Sequence, residues 1–536
     1  MSPEDIGDQS GLEEDTVTKN TLAAGEAQSH GKSLRALTPA TLKSISANGD
    51  PGKFGRMFGD LPGLVIYDLP LLELAEAMVD NPSTNPSGDN PDIPAGFTYL
   101  GQFVDHDITL DTTPLSDQTA DPNAIENFRT PALDLDSLYS QGQGIAPHLY
   151  GRKVEPPYGP DNKFLIGRTL PSPDEGINAP LPNDLPRNRV GRALIGDERN
   201  DENLAIAQTH LAFLKFHNAV VDHLVATRPD LTGTAQFQEA RRIVTWHYQW
   251  IVLFDFVERL TEPGLIRTIM QNGRKFYRFR SKPYMPAEFS AAAYRLGHSM
   301  VREQYDFNRV FREGGVVPAS LGLLFGFTGK SGAIVGELVD DPATQSTPGI
   351  PGGKLAGLPS NWIIDWRRFF NLDAGLASQA TRLIDTKLAP MLADLPGEQR
   401  PEAVLAFRNL RRGSQLALPS GQAIAQAIGA APLSAEQVAS GPVGAVAHKH
   451  GLTENTPLWF YVLKEAEVLH QGVRLGPVGS TIIAETFLGL VHGDHGSFLW
   501  QRRNWTPELP SQKPDTFTMA DLLRFTGDIN PIGEDQ

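Results

Sequence analysis

The 536-residue sequence contains no cysteine. Disulfides, thiolate-bound metals, iron–sulfur clusters and cysteine nucleophiles are excluded together. The compartment stays open, because a chain of this length builds a large core without covalent staples. Also missing is the run of about 20 apolar residues that a membrane-spanning helix needs. The best stretch, Trp250 to Val257, is short and interrupted by Asp255. Basic residues are in deficit, 47 Lys and Arg against 63 Asp and Glu, for a net charge of −16. That balance argues against nucleic acid or an anionic membrane as partner. Residues 1–53 hold no aromatic residue and are rich in Ser, Thr, Gly and acids. Such a segment cannot bury enough apolar surface to offset its ordering entropy, so a flexible or wrapping extension is expected there. The folded domain is expected over 54–536, starting at Phe54. The acidic start Met1-Ser2-Pro3-Glu4-Asp5 has no apolar stretch after it, so no secretory signal is expected; a cytoplasmic location and leaderless secretion both remain open.

What is present is mainly helical periodicity. Apolar residues at Leu204, Ala207, Leu211, Leu214 and Val221 follow a 3.6-residue period and predict a helix over Leu204–Ala226. Helices are also expected over Gln236–Leu260, Pro286–Gln304, Ala374–Leu392 and Gln422–Ile428. Segments near Pro82–Pro94, Pro156–Pro186 and Pro342–Pro359 are rich in Pro, Gly and Asp and read as surface loops. The fold class is mainly α, one large helical domain with long loops and little β.

The most informative segment is Gly101 to Asp111, GQFVDHDITLD. On a helix, Gln102 and His106 share a face at i and i+4, with Asp105 and Asp107 to either side. A histidine, an amide and a carboxylate converging on one cavity suit acid–base chemistry. Asp197-Glu198-Arg199-Asn200-Asp201-Glu202-Asn203 precedes the helix at Leu204 and has the acids a helix start favours. Tyr294-Arg295-Leu296-Gly297-His298 sets a glycine beside a histidine, which lets a bulky planar group approach the backbone. Thr130 to Asp136 alternates oxygen donors with apolar residues, a pattern that suits a hard cation such as calcium. His448-Lys449-His450 and His492 to His495 are short, loop-like and lack suitably spaced carboxylates, so they read as structural or solvated. His210, His217 and His223 read as packing or capping groups of one helix, and Trp246, Trp250, Phe254 and Phe256 as core.

The order and spacing of these segments, with Arg408-Asn409-Leu410-Arg411-Arg412 further on, resemble the peroxidase–cyclooxygenase superfamily and its animal-type haem peroxidases. The absence of cysteine and the single-domain layout are similar to bacterial members. The resemblance runs from about Phe54 to about Arg503 and implies the animal haem peroxidase fold. It implies His106 as the catalytic histidine above haem, Gln102 as the amide beside it, and Arg199 as the arginine of that side. It implies His298 as the iron ligand, with Asn409 accepting a hydrogen bond from the far ring nitrogen. Arg295 and Arg412 would hold the haem propionates. Asp105 and Glu202 match carboxylates that form ester links to haem b. Asp107, Thr130, Asp134, Asp136 and the Ala132 carbonyl match calcium ligands. Two departures stand out. Asn203 occupies a position where some members carry a methionine that forms a sulfonium link, so that bond cannot form here. Asp136 stands where serine is frequent. The implied activity is reduction of hydrogen peroxide with oxidation of halides, thiocyanate or small aromatic donors. Fatty-acid oxygenases of the same superfamily are the alternative, but they carry a radical tyrosine three residues before the iron-ligating histidine, and here that residue is Arg295. An inactive adhesion module is disfavoured because His106, Arg199 and His298 are all retained.

Overall fold

The computed structural model describes residues 52–534, apart from 111–125, 154–158, 173–176, 178, 189–190, 281, 327, 329–338, 341–353, 356, 373–374 and 396. The expected extension 1–53 lies, but for its last two residues, outside the described residues. The chain from Gly52 is held at once: strand Gly52–Gly55 pairs antiparallel with Glu126–Asn127 and parallel with Met285–Pro286.

Two long helices form the centre. Leu204–Thr227 starts where the Asn203 side chain accepts from the Ile206 N–H at 2.9 Å, an N-cap that satisfies an otherwise orphaned donor. Its buried residues lie on more than one face, so it runs through the core rather than along the surface. Gly233–Ile251 packs against it and continues through a π-helical turn, Val252–Val257, into Glu258–Leu260. The helix Gly96–Ile108, which carries His106, lies on this pair. Phe103 stacks on Phe213 with centroids 4.5 Å apart and meets Tyr248 edge-on at 6.2 Å. Those contacts bury one side of the helix and turn Gln102 and Asp105 away from the aromatic layer. Leu405–Gln415, Leu458–His470 and Pro477–Gly493 complete the core around the His298 segment. Pro477 begins its helix at a position where a missing N–H costs nothing. Nearly all buried apolar side chains belong to one continuous cluster. Among the described residues no helix is long and apolar enough to cross a membrane.

The mainly helical class is as expected, with Leu204–Thr227, Gly233–Leu260 and Gly421–Ile428 close to their predicted bounds. Two expected helices are not formed. Pro286–Gln304 breaks into a short helix Ala287–Ser290, a 3₁₀ turn Ala293–His298 and a strand Gln304–Tyr305 paired with Ala319–Ser320. Gly297 weakens the helical alternative. Within Ala374–Leu392, Ala380–Arg382 is a strand paired with Asp89–Pro94, and Pro390 opens a separate 3₁₀ turn Pro390–Ala393. The same pairing converts part of the expected Pro82–Pro94 loop into a strand. Strand Gly159–Phe164, within the expected Pro156–Pro186 loop, pairs with Tyr150–Lys153. Much of the Pro342–Pro359 segment lies outside the described residues.

Candidate active site

Gln102, Asp105 and His106 share one face of their helix, and the 3₁₀ turn Glu198–Asp201 meets that face. Gln102 Nε2 donates to Glu202 Oε1, and its Oε1 accepts from Asn203 Nδ2 at 3.1 Å. His106 is fully buried, with Nε2 3.6 Å from Glu202 Oε1. Its Nδ1 lies 2.8 Å from Asn200 Oδ1, and Asn200 Nδ2 lies 2.9 Å from His210 Nδ1. Burial holds His210 neutral, with its pKa lowered to about 3. A neutral His210 accepts from the Asn200 amide, and the Asn200 oxygen then accepts from Nδ1–H of His106. That arrangement leaves the lone pair of His106 on Nε2, on the Gln102 and Glu202 side. Arg199 comes from the same 3₁₀ turn. Its Nη2 donates to the carbonyls of His106 and Thr109 at 2.9 and 2.8 Å, and its Nε to Asp197 Oδ1 at 3.0 Å. Asp197 caps the turn by accepting from the Arg199 N–H.

The His298 segment faces this helix through Tyr294, whose hydroxyl donates to the Gly101 carbonyl at 2.9 Å. Burial, with the Asp105 charge nearby, raises the Tyr294 phenol well above its ordinary pKa. A Cβ built on Gly297 would meet no atom within 4 Å, so the backbone beside His298 is open on that side. His298 Nδ1 is 2.8 Å from Asn409 Nδ2, on the buried face of Leu405–Gln415. The sense of this bond differs from expectation. Arg295 Nη1 donates to Asn409 Oδ1 at 2.7 Å, so the amide turns its NH₂ toward the imidazole instead of accepting from it. Arg295 also donates from Nε to the Ser290 carbonyl at 3.1 Å, and Trp459 Nε1 donates to the Arg295 carbonyl at 3.2 Å. Arg412 is buried one turn along from Asn409.

Thr130–Asp136 folds under the other side of the His106 helix. Asp107 accepts from the backbone N–H of Leu135 and Ser137, each at 3.2 Å, and from Ser137 Oγ at 3.0 Å. Burial and the neighbouring Asp136 push its pKa up to about 7. Burial, then Asp136, Asp107 and Asp494, raise Asp134 well above the usual carboxylate range. Asp136 is ion-paired with the buried Arg129 and accepts from Thr130 Oγ1 at 3.2 Å. Among the described residues no three His, Cys, Asp or Glu side chains close around one point where a metal ion could sit. A cation here would need mixed donors, with a hydroxyl and a carbonyl beside the carboxylates.

Residues 127–322 match the animal haem peroxidase family. Heme peroxidase 2 of Caenorhabditis elegans is 25% identical over 269 residues, covering 42% of this chain and 37% of that protein. Thyroid peroxidase of Mus musculus is 24% identical over 291 residues, covering 47% of this chain and 31% of that protein. Over the matched segment the chain is similar to animal haem peroxidases. Among solved structures, peroxidase A of Dictyostelium discoideum superposes with a TM-score of 0.57 at 15% identity, covering 91% of this chain and 95% of that one. A fatty acid alpha-dioxygenase of Oryza sativa superposes with a TM-score of 0.53 at 14% identity, covering 86% and 76%. These likenesses establish the fold. The chain matches about a third of the length of the two curated relatives.

The peroxidase-domain match contains Arg129 to Asp136, Asp197 to Asn203 and His298, whereas His106 and Asn409 lie outside it. The matched family is named for haem, and this chain's residues fit such a group. Two imidazole-bearing segments are tied together by Tyr294 and Gly101, open backbone lies beside His298, and arginines flank it. Sequence reasoning missed Asn200, Asp197 and Arg129, and it assigned His210 to packing. It also missed Asp494, which approaches Asp134 from the end of Pro477–Gly493. The expected loop histidines differ in detail. His492 ends that helix, His495 stacks on the Trp500 ring at 4.3 Å, and His450 does have a carboxylate partner, Glu73, at 2.8 Å.

Proposed function

We propose that this chain is a haem peroxidase that reduces hydrogen peroxide and oxidises halides, thiocyanate or small aromatic donors. The observation that carries the reading is the His106 network: a buried imidazole bonded through Nδ1, with Glu202 facing Nε2, Gln102 bonded to Glu202, and Arg199 on the same turn as Asn200. Bound haem would supply the iron on which peroxide is cleaved and would hold the two oxidising equivalents that peroxide delivers until donors take them up. His106 Nε2 takes the proton from one peroxide oxygen and returns it to the other, a contribution of roughly 10²–10⁴-fold for general acid–base catalysis. The Arg199 guanidinium stabilises negative charge developing on the departing oxygen. Gln102 orients peroxide from one turn away.

His298 would hold the iron through Nε2, and Arg295 and Arg412 the propionates. Ligation through Nε2 puts the ring proton on Nδ1, so the loaded site needs the Asn409 oxygen toward the ring. A turn of that amide, with Arg295 moving from Asn409 to a propionate, meets the requirement. Asp105 and Glu202 are the candidates for ester links to haem methyl groups. Calcium would be held by Asp107, Asp134, the Thr130 hydroxyl and the Ala132 carbonyl. Asp136 has one oxygen committed to Arg129. A cation there relieves the repulsion among carboxylates that burial enforces.

The likeness to the rice dioxygenase favours one second reading, fatty-acid oxygenation. Against it, Arg295 occupies the radical-tyrosine position, and the adjacent Tyr294 hydroxyl is committed to Gly101. Purified protein supplied with haem should show a Soret band and turn over peroxide with bromide, thiocyanate or a phenol. Absence of that band sinks the proposal. Oxygen uptake with linoleate that Tyr294→Phe abolishes would replace it with the second reading. A pyridine haemochrome spectrum before and after peroxide reports the ester links.

A further inference from the structure

Behind Arg199 runs a chain of buried charges that alternate in sign: Asp136, Arg129, Asp197, Arg199. Arg129 Nη1 is bonded to Asp136, its Nε and Nη2 donate to Asp197 Oδ2 at 3.1 and 2.5 Å, and Nη2 also reaches the Gly196 carbonyl at 3.2 Å. Asp197 in turn accepts from Arg199 through the backbone N–H at 2.9 Å, Nε at 3.0 Å and Nη2 at 2.7 Å. The side chains of Arg129, Asp136 and Asp197 are at most 3% exposed, and that of Arg199 is 15% exposed. Ions this deep cost several kcal/mol each in lost hydration unless they are paired. The quartet is charge-balanced, and against the cost of burial the guanidinium groups of Arg199 and then Arg129 hold Asp197 ionised, well below the usual carboxylate range.

The geometry constrains one group above all. A guanidinium is a rigid planar fork. Asp197 grips the Arg199 fork at Nε and Nη2, and the carbonyls of His106 and Thr109 take Nη2 from the other side. Among the described residues, Nη1 is the arm of that fork with no hydrogen-bond partner. The plane and direction of Arg199 are therefore set relative to the end of the His106 helix. We propose that Asp197 and Arg129 are positioning residues for Arg199, locking its fork so that Nη1 alone is presented to peroxide. Arg129 acts through Asp197: it balances half of that carboxylate's charge and ties it to Asp136 on the Thr130–Asp136 loop. This inference rests on the peroxidase reading of Arg199 and deepens it. The same chain gives the loop under Asp107 a direct path to the arginine of the site.

The test compares full-length, haem-loaded Asp197→Asn, Arg129→Met and Arg129→Lys with the natural sequence. Asn keeps an oxygen for the Arg199 N–H but loses the charge and replaces the second accepting oxygen by an NH₂. Asp197→Asn and Arg129→Met should lower kcat/KM for peroxide by about tenfold to a hundredfold, the scale for residues that orient a metal-site ligand. KM for a phenol donor and the Soret position should stay unchanged, and Arg129→Lys should recover most of the loss. Cyanide titrated on the Soret shift should bind correspondingly more weakly to the two impaired variants, since an anion at the site uses the same guanidinium arm. A lower unfolding temperature with natural kcat/KM and natural cyanide affinity would show a purely structural role and overturn the proposal. If Asp197→Asn does not fold, the contrast between Arg129→Met and Arg129→Lys decides by the same readouts. A natural chain that binds haem and cyanide but does not consume peroxide would defeat the peroxidase reading, while the cyanide affinities would still report on Arg199.

Discussion

Asn200 sits between two imidazoles and offers a different atom to each. Its oxygen faces His106 Nδ1 and its nitrogen faces His210 Nδ1, at 2.8 and 2.9 Å. An amide cannot accept through its nitrogen, so the pair of bonds fixes both tautomers once His210 is neutral. Glu202, 3.6 Å from His106 Nε2, pulls the other way, because a carboxylate prefers a protonated nitrogen opposite it. The Asn200 bond is what opposes that pull. Replacing Asn200 by Leu removes it while keeping a similar volume. The expected result is a fall in kcat/KM for peroxide of about tenfold to a hundredfold, with the donor KM unchanged. Asn200→Asp, which keeps the acceptor oxygen, should recover most of the rate in the same stopped-flow assay; equal losses in both variants would disprove the tautomer argument. For His106 itself, His106→Gln should cost roughly 10²–10⁴-fold in the peroxide reaction, the share of a lost acid–base group.

At the level of elements, what could be read in the sequence was local. Gln102 and His106 were legible because four residues on a helix always share a face, and Glu202 and Asn203 because they begin a helix whose periodicity was plain. Arg129, Asp197 and Asn200 were not, because the bonds from Arg129 to Asp197 and from His106 to Asn200 join residues far apart in sequence that only the packed fold brings together. The helix expected over Ala374–Leu392 failed for the same reason: a backbone edge at Asp89–Pro94 outcompetes local propensity when tertiary pairing is available. The sense of the Asn409 bond was equally hidden, since it depends on where Arg295 donates. The Thr130–Asp136 loop carries a prediction at this scale. Its backbone N–H groups at Leu135 and Ser137 already hold Asp107, so the loop and the His106 helix move together. If calcium occupies the proposed donors, a chelator should lower the unfolding temperature and weaken haem retention, and added calcium should restore both. Asp107→Asn should make the protein insensitive to the chelator. A natural chain whose melting curve ignores both chelator and calcium would refute the metal assignment. Tighter packing gives a second expectation: a Cβ on Gly421 would lie 1.9 Å from the Tyr461 ring, so Gly421→Ala should destabilise by about 1–3 kcal/mol in denaturant unfolding.

Across the whole molecule, stability against acid is a contest between buried groups of opposite habit. Burial holds His217 and His247 neutral down to about pH 4 and His210 to about 3, whereas an exposed imidazole titrates near 6.5. Their folded pKa values lie below the unfolded ones. The stability they contribute is complete above pH 6.5 and is lost as pH falls toward 4, because the unfolded chain binds protons that the folded chain refuses. Glu465 does the reverse. Burial raises it to about 7, so the folded chain holds a proton that the unfolded chain releases, and its contribution is lost as pH rises from about 4.5 to 7. Asp385, raised by burial to about 6, acts in the same sense as Glu465. The two sets offset each other in part, so differences between variants isolate single groups where the net slope does not. One proton is worth about 1.4 kcal/mol per pH unit. Between pH 6 and 4.5, His217→Gln should reduce the slope of unfolding free energy against pH by about that amount, making the protein relatively less sensitive to acid. Glu465→Gln, which keeps an acceptor for the Val478 N–H, should steepen the slope by a similar amount in the opposite direction. Urea unfolding at a series of pH values measures both. Slopes that move together, or that do not move, would mean that these groups titrate alike in the folded and unfolded chain.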